Sequence, residues 1–154
     1  MIKILFVCHG NICRSPMAEF VLKDMVQKRG LADDFYIESA ATSTEEIWNG
    51  IGNPVYPPAR KILAEHGISC EGKRARQITV KDFEDFDYII GMDSQNRRNM
   101  ERICPPQYRD KISLMLDYTD RPGSVSDPWY TSDFEATWRD VNDGCKGLLD
   151  LILT

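Results

Sequence analysis

Cys8 and Arg14 stand six residues apart near the N-terminus, and this pair of side chains suits phosphate chemistry. A thiolate can attack phosphorus, and a guanidinium forms a planar fork that matches two phosphate oxygens. Gly10 and Asn11 lie between them, and both residue types tolerate a positive φ. The spacing therefore predicts a phosphate loop, residues 8–15, whose backbone N–H groups turn toward an anion with Cys8 at the floor.

A strand and the start of a helix flank this loop. Residues 4–7 are apolar and favour a buried strand, so Cys8 falls where that strand ends. Ser15 and Pro16 predict a helix start with Ser15 as the cap, because Ser caps helices and Pro suits the first helical position. The helix N-terminus adds positive potential and favours the thiolate form of Cys8.

Less specific interpretations of the loop have to be weighed. A cysteine after an apolar strand is often only a buried core thiol, and the spacing from Cys8 to Arg14 also occurs by chance. The strand, the turn and the helix start all fall where phosphate chemistry needs them, and this context favours a catalytic cysteine. An ATP-type phosphate loop is excluded, since no Gly-Lys-Ser/Thr follows.

The composition predicts a soluble globular protein with a single domain over residues 1–154. The net charge is −5 without a basic run, which argues against nucleic acid or a membrane surface as a partner. No stretch is apolar enough to span a membrane, and the N-terminus, with Lys3 inside a strand pattern, lacks the form of a signal peptide. We therefore expect a cytoplasmic protein.

The cysteines are odd in number and show neither Cys-x-x-Cys nor His/Cys metal spacing. The expectation is a protein without a disulfide scaffold, a metal site or a cofactor. The five are Cys8, Cys13, Cys70, Cys104 and Cys145.

Predicted strands and helices alternate along the whole chain. The predicted strands cover residues 4–7, 35–37, 87–92 and 112–116, and the predicted helices cover residues 16–29, 58–66 and 95–104, with a long C-terminal helix opened by a capping box at residues 132–135. This pattern implies an α/β fold, a four-stranded parallel sheet with helices on both faces. Sites in such folds lie at the carboxyl ends of the strands, so Cys8 and Asp127 can reach the same cleft.

Two separated motifs resemble those of the low-molecular-weight protein tyrosine phosphatases. One is Cys-His-Gly-Asn-Ile-Cys-Arg-Ser-Pro at residues 8–16, and the other is Asp-Pro-Trp-Tyr at residues 127–130. Shorter segments that match the family pattern follow in the same order at residues 39–41, 66–68, 75–78, 86–89 and 92–93, so the resemblance covers essentially the whole chain.

The resemblance implies a role for each matching residue. Cys8 would be the nucleophile, Arg14 the phosphate clamp, and Asp127 the general acid and then the general base. Asn11 would hold the turn through hydrogen bonds to Ser15, Ser39 and His66, with the Ser15 hydroxyl supporting the thiolate. Cys13 would form a reversible disulfide with Cys8 and shield it from over-oxidation. Substrate contacts are expected from His9, Gly10, Asn11, Ile12, Cys13, Ser15, Trp48, Trp129 and Tyr130.

Three features depart from the family pattern and bear on substrate choice. His9 stands where an aliphatic residue is commoner, residues 42–57 form a longer loop than usual, and Trp129 replaces a frequent tyrosine. Trp48 in that loop either anchors it on the core or lies on the rim of the cleft. Together Trp48, Trp129 and Tyr130 would line a cleft for a flat aromatic leaving group.

The function expected from these residues is hydrolysis of phosphotyrosine in proteins and of small aryl phosphates by a monomeric enzyme, through a cysteinyl-phosphate. Three alternatives stay open. An arsenate reductase needs redox cysteines beside Cys8, and Cys70 and Cys104 are not obviously such a pair. A phosphocysteine carrier would stop at the intermediate, against which Asp127 argues. A phosphotyrosine-binding module without catalysis would have lost the nucleophile.

Overall fold

The computed structural model describes residues 1–154. The strands are β1 (Ile2–Cys8), β2 (Phe35–Ala41), β3 (Ile47–Trp48), β4 (Ile51–Gly52), β5 (Tyr88–Gly91) and β6 (Ile112–Leu114). The helices are α1 (Arg14–Lys28), α2 (Pro57–Glu65), α3 (Val80–Asp85), α4 (Ser94–Ile103), α5 (Pro128–Thr131) and α6 (Phe134–Leu153). Short 3₁₀ segments occupy Ala32–Asp34, Pro106–Lys111 and Met115–Tyr118.

Four strands form a parallel sheet in the order β2-β1-β5-β6. The chain moves from β1 to β2 on one side and later returns to β5 on the other, so the strand order reverses beside β1. Ligands in open parallel sheets bind at such a point, outside the carboxyl ends of the strands. Cys8 ends β1 and Asp93 follows β5, so both residues lie at this position.

The alternation of side chains along β1 builds two apolar layers. Ile4 and Phe6 belong to the larger core, which includes buried residues of α1, α2 and α6, whereas Leu5 and Val7 pack with residues of α3 and α4. All four side chains are fully buried, and each contributes about 1.5–3 kcal/mol to folding. The predicted four-stranded parallel sheet with helices on both faces is confirmed.

The predicted fourth strand is wrong beyond Leu114. Residues 115–118 form a 3₁₀ turn, because the Asp117 carboxylate accepts a hydrogen bond from the Leu114 N–H at 2.9 Å and closes the backbone there. The second strand is longer than predicted and continues to Ala41, paired with β1 along its whole length. The sequence analysis did not predict α3, α5 or the hairpin of β3 and β4 within residues 42–57.

Two predicted helix caps are wrong. Helix α1 begins at Arg14 with Cys13 in the cap position and no side-chain cap, because the Ser15 hydroxyl bonds Cys8 and Asn11 instead. Helix α6 is capped by Asp133, whose carboxylate accepts from the Ala136 N–H at 3.0 Å. None of the helices has the length and apolar character needed to cross a membrane.

Candidate active site

Cys8 lies at the carboxyl end of the central strand with its side chain almost fully buried. Its Sγ is 3.0 Å from the Ser15 hydroxyl and accepts a hydrogen bond from the Asn11 N–H at 3.3 Å. Two polar groups therefore point at the sulfur from inside the phosphate loop. Donors in these positions stabilise a negative charge on sulfur.

Asn11 fixes the curl of the loop. Its backbone is left-handed, with φ 59°, whereas Gly10 has no positive φ. Its side-chain Nδ2 donates to Ser15 Oγ at 2.8 Å and to Ser39 Oγ at 2.9 Å, and its Oδ1 accepts from the Arg76 N–H at 3.1 Å. The bonds to Ser15 and Ser39 are those that the family resemblance implies.

The carbonyl groups of the phosphate loop are bonded to surrounding segments. Thr42 N donates to Cys8 O at 3.0 Å, and Tyr56 N donates to Ile12 O at 2.8 Å. Carbonyls held in this way leave the inner side of the loop to N–H groups, as the Asn11 N–H beside Cys8 demonstrates. An N–H group on this inner side of the loop is suited to an anion.

Arg14 is buried, with only 5% of its surface exposed, and is held by acidic partners. Its Nη1 donates to Asp93 Oδ2 at 2.9 Å and to Val125 O at 3.3 Å, and its Nη2 lies 3.5 Å from Asp127 Oδ2. Burial by itself lowers the pKa of Arg14, but the neighbouring Cys8, Asp127 and Asp93 outweigh burial and raise it. The guanidinium therefore stays charged at the loop.

Asp127 lies across the cleft from the phosphate loop at the start of α5. Its Oδ1 accepts from the Trp129 N–H at 3.0 Å, while its Oδ2 faces Arg14. The side chain is one-third exposed, so one carboxylate oxygen can meet a substrate from the mouth of the cleft. A carboxyl group that borders the cleft in this way is a candidate general acid.

The cleft has a volume of about 390 Å³ and contains most of the residues expected from the sequence. Its aromatic wall includes Tyr56, whose ring lies 5.5 Å from Trp129 and 6.2 Å from Phe134. The predicted residues that line it are Cys8, His9, Gly10, Ile12, Cys13, Arg14, Asp127, Trp129 and Tyr130. Asn11, Ser15 and Ser39 lie buried behind the loop and do not line the cleft. The substrate contacts expected of the Asn11 and Ser15 side chains are therefore wrong.

Two further expectations are wrong. Trp48 does not line the cleft: it sits in the β3–β4 hairpin with 79% of its surface exposed. His66 does not bond Asn11, because its ring stacks on Trp138 of α6 at 3.8 Å, and the Arg76 N–H takes the third position on Asn11.

Asp93 and Tyr56 are site residues that the sequence analysis missed. Asp93 lies two residues after β5, at the same edge of the sheet as Cys8 at the end of β1, so the rule that parallel strands end at one edge could have found it. Tyr56 lies just before α2, and no sequence pattern marked its contact with Trp129.

Cys13 is half-buried in the loop, and its thiol is free like those of the other four cysteines. Burial, with a further contribution from the neighbouring Cys8, raises the pKa of Cys13 to about 12. Cys13 is therefore a neutral thiol at physiological pH, and a neutral thiol is a poor nucleophile. The proposed disulfide with Cys8 stays a prediction.

A thiol, a fixed guanidinium and a carboxylate converge here on one anion-binding loop, and this combination defines a cysteine-dependent phosphate-transfer enzyme. The family model "Low molecular weight phosphotyrosine protein phosphatase" matches residues 3–153. The chain belongs to this family.

Relatives and solved structures agree with that assignment. The low molecular weight protein-tyrosine-phosphatase YfkJ of Bacillus subtilis is 40% identical over 151 residues, which cover 97% of this chain and 94% of YfkJ. The crystal structure of YfkJ superposes with a TM-score of 0.93, covering 99% of this chain and 95% of that one. The low molecular weight protein tyrosine phosphatase of Streptococcus pyogenes is 45% identical, with a TM-score of 0.87 over 100% of this chain and 95% of that one.

Proposed function

We propose that this protein hydrolyses phosphotyrosine in proteins, and small aryl phosphates, through a phosphoryl group carried on Cys8. The observation that carries the proposal is the position of the Cys8 sulfur, which sits on the floor of the phosphate loop in the same cleft as Arg14 and Asp127. The family relationship supports the same activity.

In the first step the Cys8 thiolate attacks phosphorus in line with the ester oxygen. The sulfur–phosphorus bond forms as the bond to the phenolic oxygen breaks, and Asp127 gives its proton to the departing phenolate. The loop N–H groups and Arg14 hold the three equatorial oxygens throughout. Because these donors are in place beforehand, they stabilise the extra charge of the transition state without reorganising.

In the second step water releases the phosphoryl group. Asp127, now ionised, accepts a proton from water, which attacks phosphorus as the sulfur–phosphorus bond breaks. Orthophosphate leaves and the Cys8 thiolate is restored, with the Ser15 hydroxyl beside it at 3.0 Å. No redox partner is needed, because the sulfur is neither oxidised nor reduced overall.

The aromatic wall of the cleft supports an aryl ester as substrate. Tyr56 and Trp129 lie against one another, and Tyr130 extends the wall as an exposed side chain. Flat rings pack well between such side chains. His9 Nε2 lies 3.0 Å from Glu45 Oε2, and both residues line the cleft, where they would meet the peptide around the phosphotyrosine.

We further propose that residues 1–154 act as one phosphatase domain, as a cytoplasmic monomer that needs neither metal nor cofactor. The continuous sheet and shared core support a single domain. The two steps above use only the Cys8 thiolate, Arg14, Asp127 and the loop N–H groups, so they call on no metal or cofactor.

The test is phosphate release from p-nitrophenyl phosphate in EDTA, set against thiol-dependent reduction of arsenate. We expect hydrolysis that EDTA does not affect, no turnover in Cys8→Ser, and retained binding of phosphate-like anions in that variant. Cys70→Ser is the matched control, because Cys70 is buried outside the cleft. Arsenate reduction without hydrolysis, or turnover in Cys8→Ser, would overturn the proposal.

A further inference from the structure

The loop that carries Asp127 to the cleft is largely exposed. Residues 119–127 link a 3₁₀ turn to α5, and residues 120–124 lie in solvent. Within this loop only Val125 is buried, and its N–H donates to the Met92 carbonyl at 2.8 Å, just after β5. Beyond that one contact with the sheet, the position of Asp127 must depend on groups outside the loop.

Ser126, the residue directly before Asp127, is held by two side chains of α6. Asp140 Oδ2 accepts a hydrogen bond from the Ser126 N–H at 3.0 Å, and the Thr137 hydroxyl donates to the Ser126 carbonyl at 2.8 Å. Thr137 and Asp140 are three positions apart, so they share one face of the helix. Both backbone polar groups of Ser126 are therefore fixed by the same helix.

These bonds limit the directions in which the Asp127 side chain can point. Pro128 restricts Asp127 to an extended backbone, which the structure shows with φ −96° and ψ 106°. The peptide before Asp127 is fixed by α6 and the residue itself by Pro128, so the side chain leaves the backbone toward one side. That side is the cleft, where Asp127 Oδ2 lies 3.5 Å from Arg14 Nη2.

Helix α6 is suited to hold the loop because it is packed along the body of the protein. Val141 is fully buried in the larger core. Gly147 lies so close to the Tyr118 carbonyl that a Cβ at this position would overlap the oxygen. The loop therefore leaves α6 beside Gly147 and returns to the same helix at Thr137 and Asp140.

Arg121 fixes the second oxygen of the Asp140 carboxylate. Its Nη2 lies 2.9 Å from Asp140 Oδ1 and 2.9 Å from Asp143 Oδ2. The Asp140 side chain is only 17% exposed, so its charge needs a cation, and the loop itself supplies one in Arg121. Asp143 pairs with Arg121 but makes no hydrogen bond to the loop backbone. The two aspartates therefore share a cation and differ in the bond to Ser126.

We propose that Asp140 and Thr137 are positioning residues for the general acid, which hold the Ser126 backbone so that Asp127 faces the leaving oxygen. This inference rests on the proposed role of Asp127 in the first step. A general acid must lie within hydrogen-bond reach of the oxygen that it protonates, and a displacement of about 1 Å can cost roughly a hundredfold in rate. Loss of this support should impair proton donation and spare the phosphate loop, which other segments hold.

The test measures phosphorylation of Cys8 in single turnovers with two substrates that differ in the leaving group. In Asp140→Ala we expect the rate with phenyl phosphate to fall about tenfold and the rate with p-nitrophenyl phosphate to fall less than about twofold, because only the basic phenolate needs the acid. Thr137→Val should show the same pattern, and Thr137→Ser, which keeps the hydroxyl, should restore the wild-type rates. Asp143→Ala is the matched control: it removes a charge from the same helix and from the same Arg121, and it should behave like wild type.

A double-mutant cycle shows whether Asp140 acts through Asp127. If it does, Asp140→Ala should add less than about twofold to the loss that Asp127→Asn alone causes with phenyl phosphate. Losses that multiply would overturn the proposal, as would equal slowing of both substrates in Asp140→Ala or the same loss in Asp143→Ala. A lower melting temperature in Asp140→Ala with wild-type rates on both substrates would also overturn it and leave Asp140 a stabilising residue only. If Asp140→Ala does not fold, Thr137→Val decides by the same comparison.

Failure of the proposed function gives a different result. Asp127→Asn alone would then show no dependence on the leaving group, and the positioning role would be refuted with it. If Asp127→Asn slows phenyl phosphate selectively and Asp140→Ala does not, only the positioning role is refuted.

Discussion

Replacing Asn11 tests how much of the active site depends on one buried side chain. Asn11→Ala removes the hydrogen bonds to Ser15, Ser39 and Arg76 and leaves a left-handed backbone on alanine. Each bond contributes about 0.5–1.5 kcal/mol, and the left-handed conformation costs an alanine roughly 1 kcal/mol. We expect the free energy of unfolding to fall by about 3–5 kcal/mol, and the melting temperature by roughly 10 °C.

Asn11→Gly separates the two contributions. Glycine adopts φ 59° without strain, so this variant should recover roughly 1 kcal/mol relative to Asn11→Ala, while kcat/KM stays low in both. Urea unfolding followed by circular dichroism measures stability, and p-nitrophenyl phosphate measures activity.

Asn49 is the matched control, since it has φ 51° on an exposed turn and its side chain makes no hydrogen bond. Asn49→Ala should lose only roughly 1 kcal/mol and keep full activity. If Asn11→Gly matched wild type in both stability and kcat/KM, the backbone turn alone would matter and the reasoning about the hydrogen bonds would be refuted.

Three further predictions concern the cleft. Asp127→Asn should slow the phosphorylation of Cys8 by phenyl phosphate about a hundredfold or more, but should slow its phosphorylation by p-nitrophenyl phosphate far less, because a stable leaving group hardly needs an acid. Single-turnover kinetics measure both rates. Equal slowing of the two substrates, or the same leaving-group pattern in Asp120→Asn, would exclude Asp127 as the acid. The pKa of Cys13 is raised to about 12, so alkylation between pH 7 and 9 should spare Cys13 in mapped peptides. Peroxide should inactivate the wild type reversibly, whereas Cys13→Ser should recover less with dithiothreitol, and equal recovery would make Cys13 a packing residue.

Local chemistry explains why the phosphate loop could be predicted from the sequence. Residues 4–7 favour a strand, Asn11 tolerates a left-handed turn, and the helix follows within the same short segment. Asp127 was placed by topology, since loops after parallel strands meet at one edge of the sheet. Both inferences need only nearby residues and one rule of fold architecture.

The remaining parts of the site depend on tertiary contacts that no local pattern encodes. The ring of His66 stacks on Trp138, 72 positions further along the chain, and this contact removes His66 from the loop. Arg76 enters the network through its backbone N–H, which carries no sequence signal at all. Thr137 and Asp140 look like ordinary polar helix residues in the sequence, and only the fold places them against the loop that carries the general acid.

The most direct test of the account is to identify the residue that carries phosphate during turnover. Rapid acid quench of the wild-type enzyme with p-nitrophenyl phosphate, followed by peptide mapping, should find one phosphoryl group on the sulfur of Cys8. Cys8→Ser should carry none under the same conditions, while Cys70→Ser should match wild type. A burst of p-nitrophenol without phosphorylated Cys8, or a phosphoryl group on another residue, would contradict the central claim.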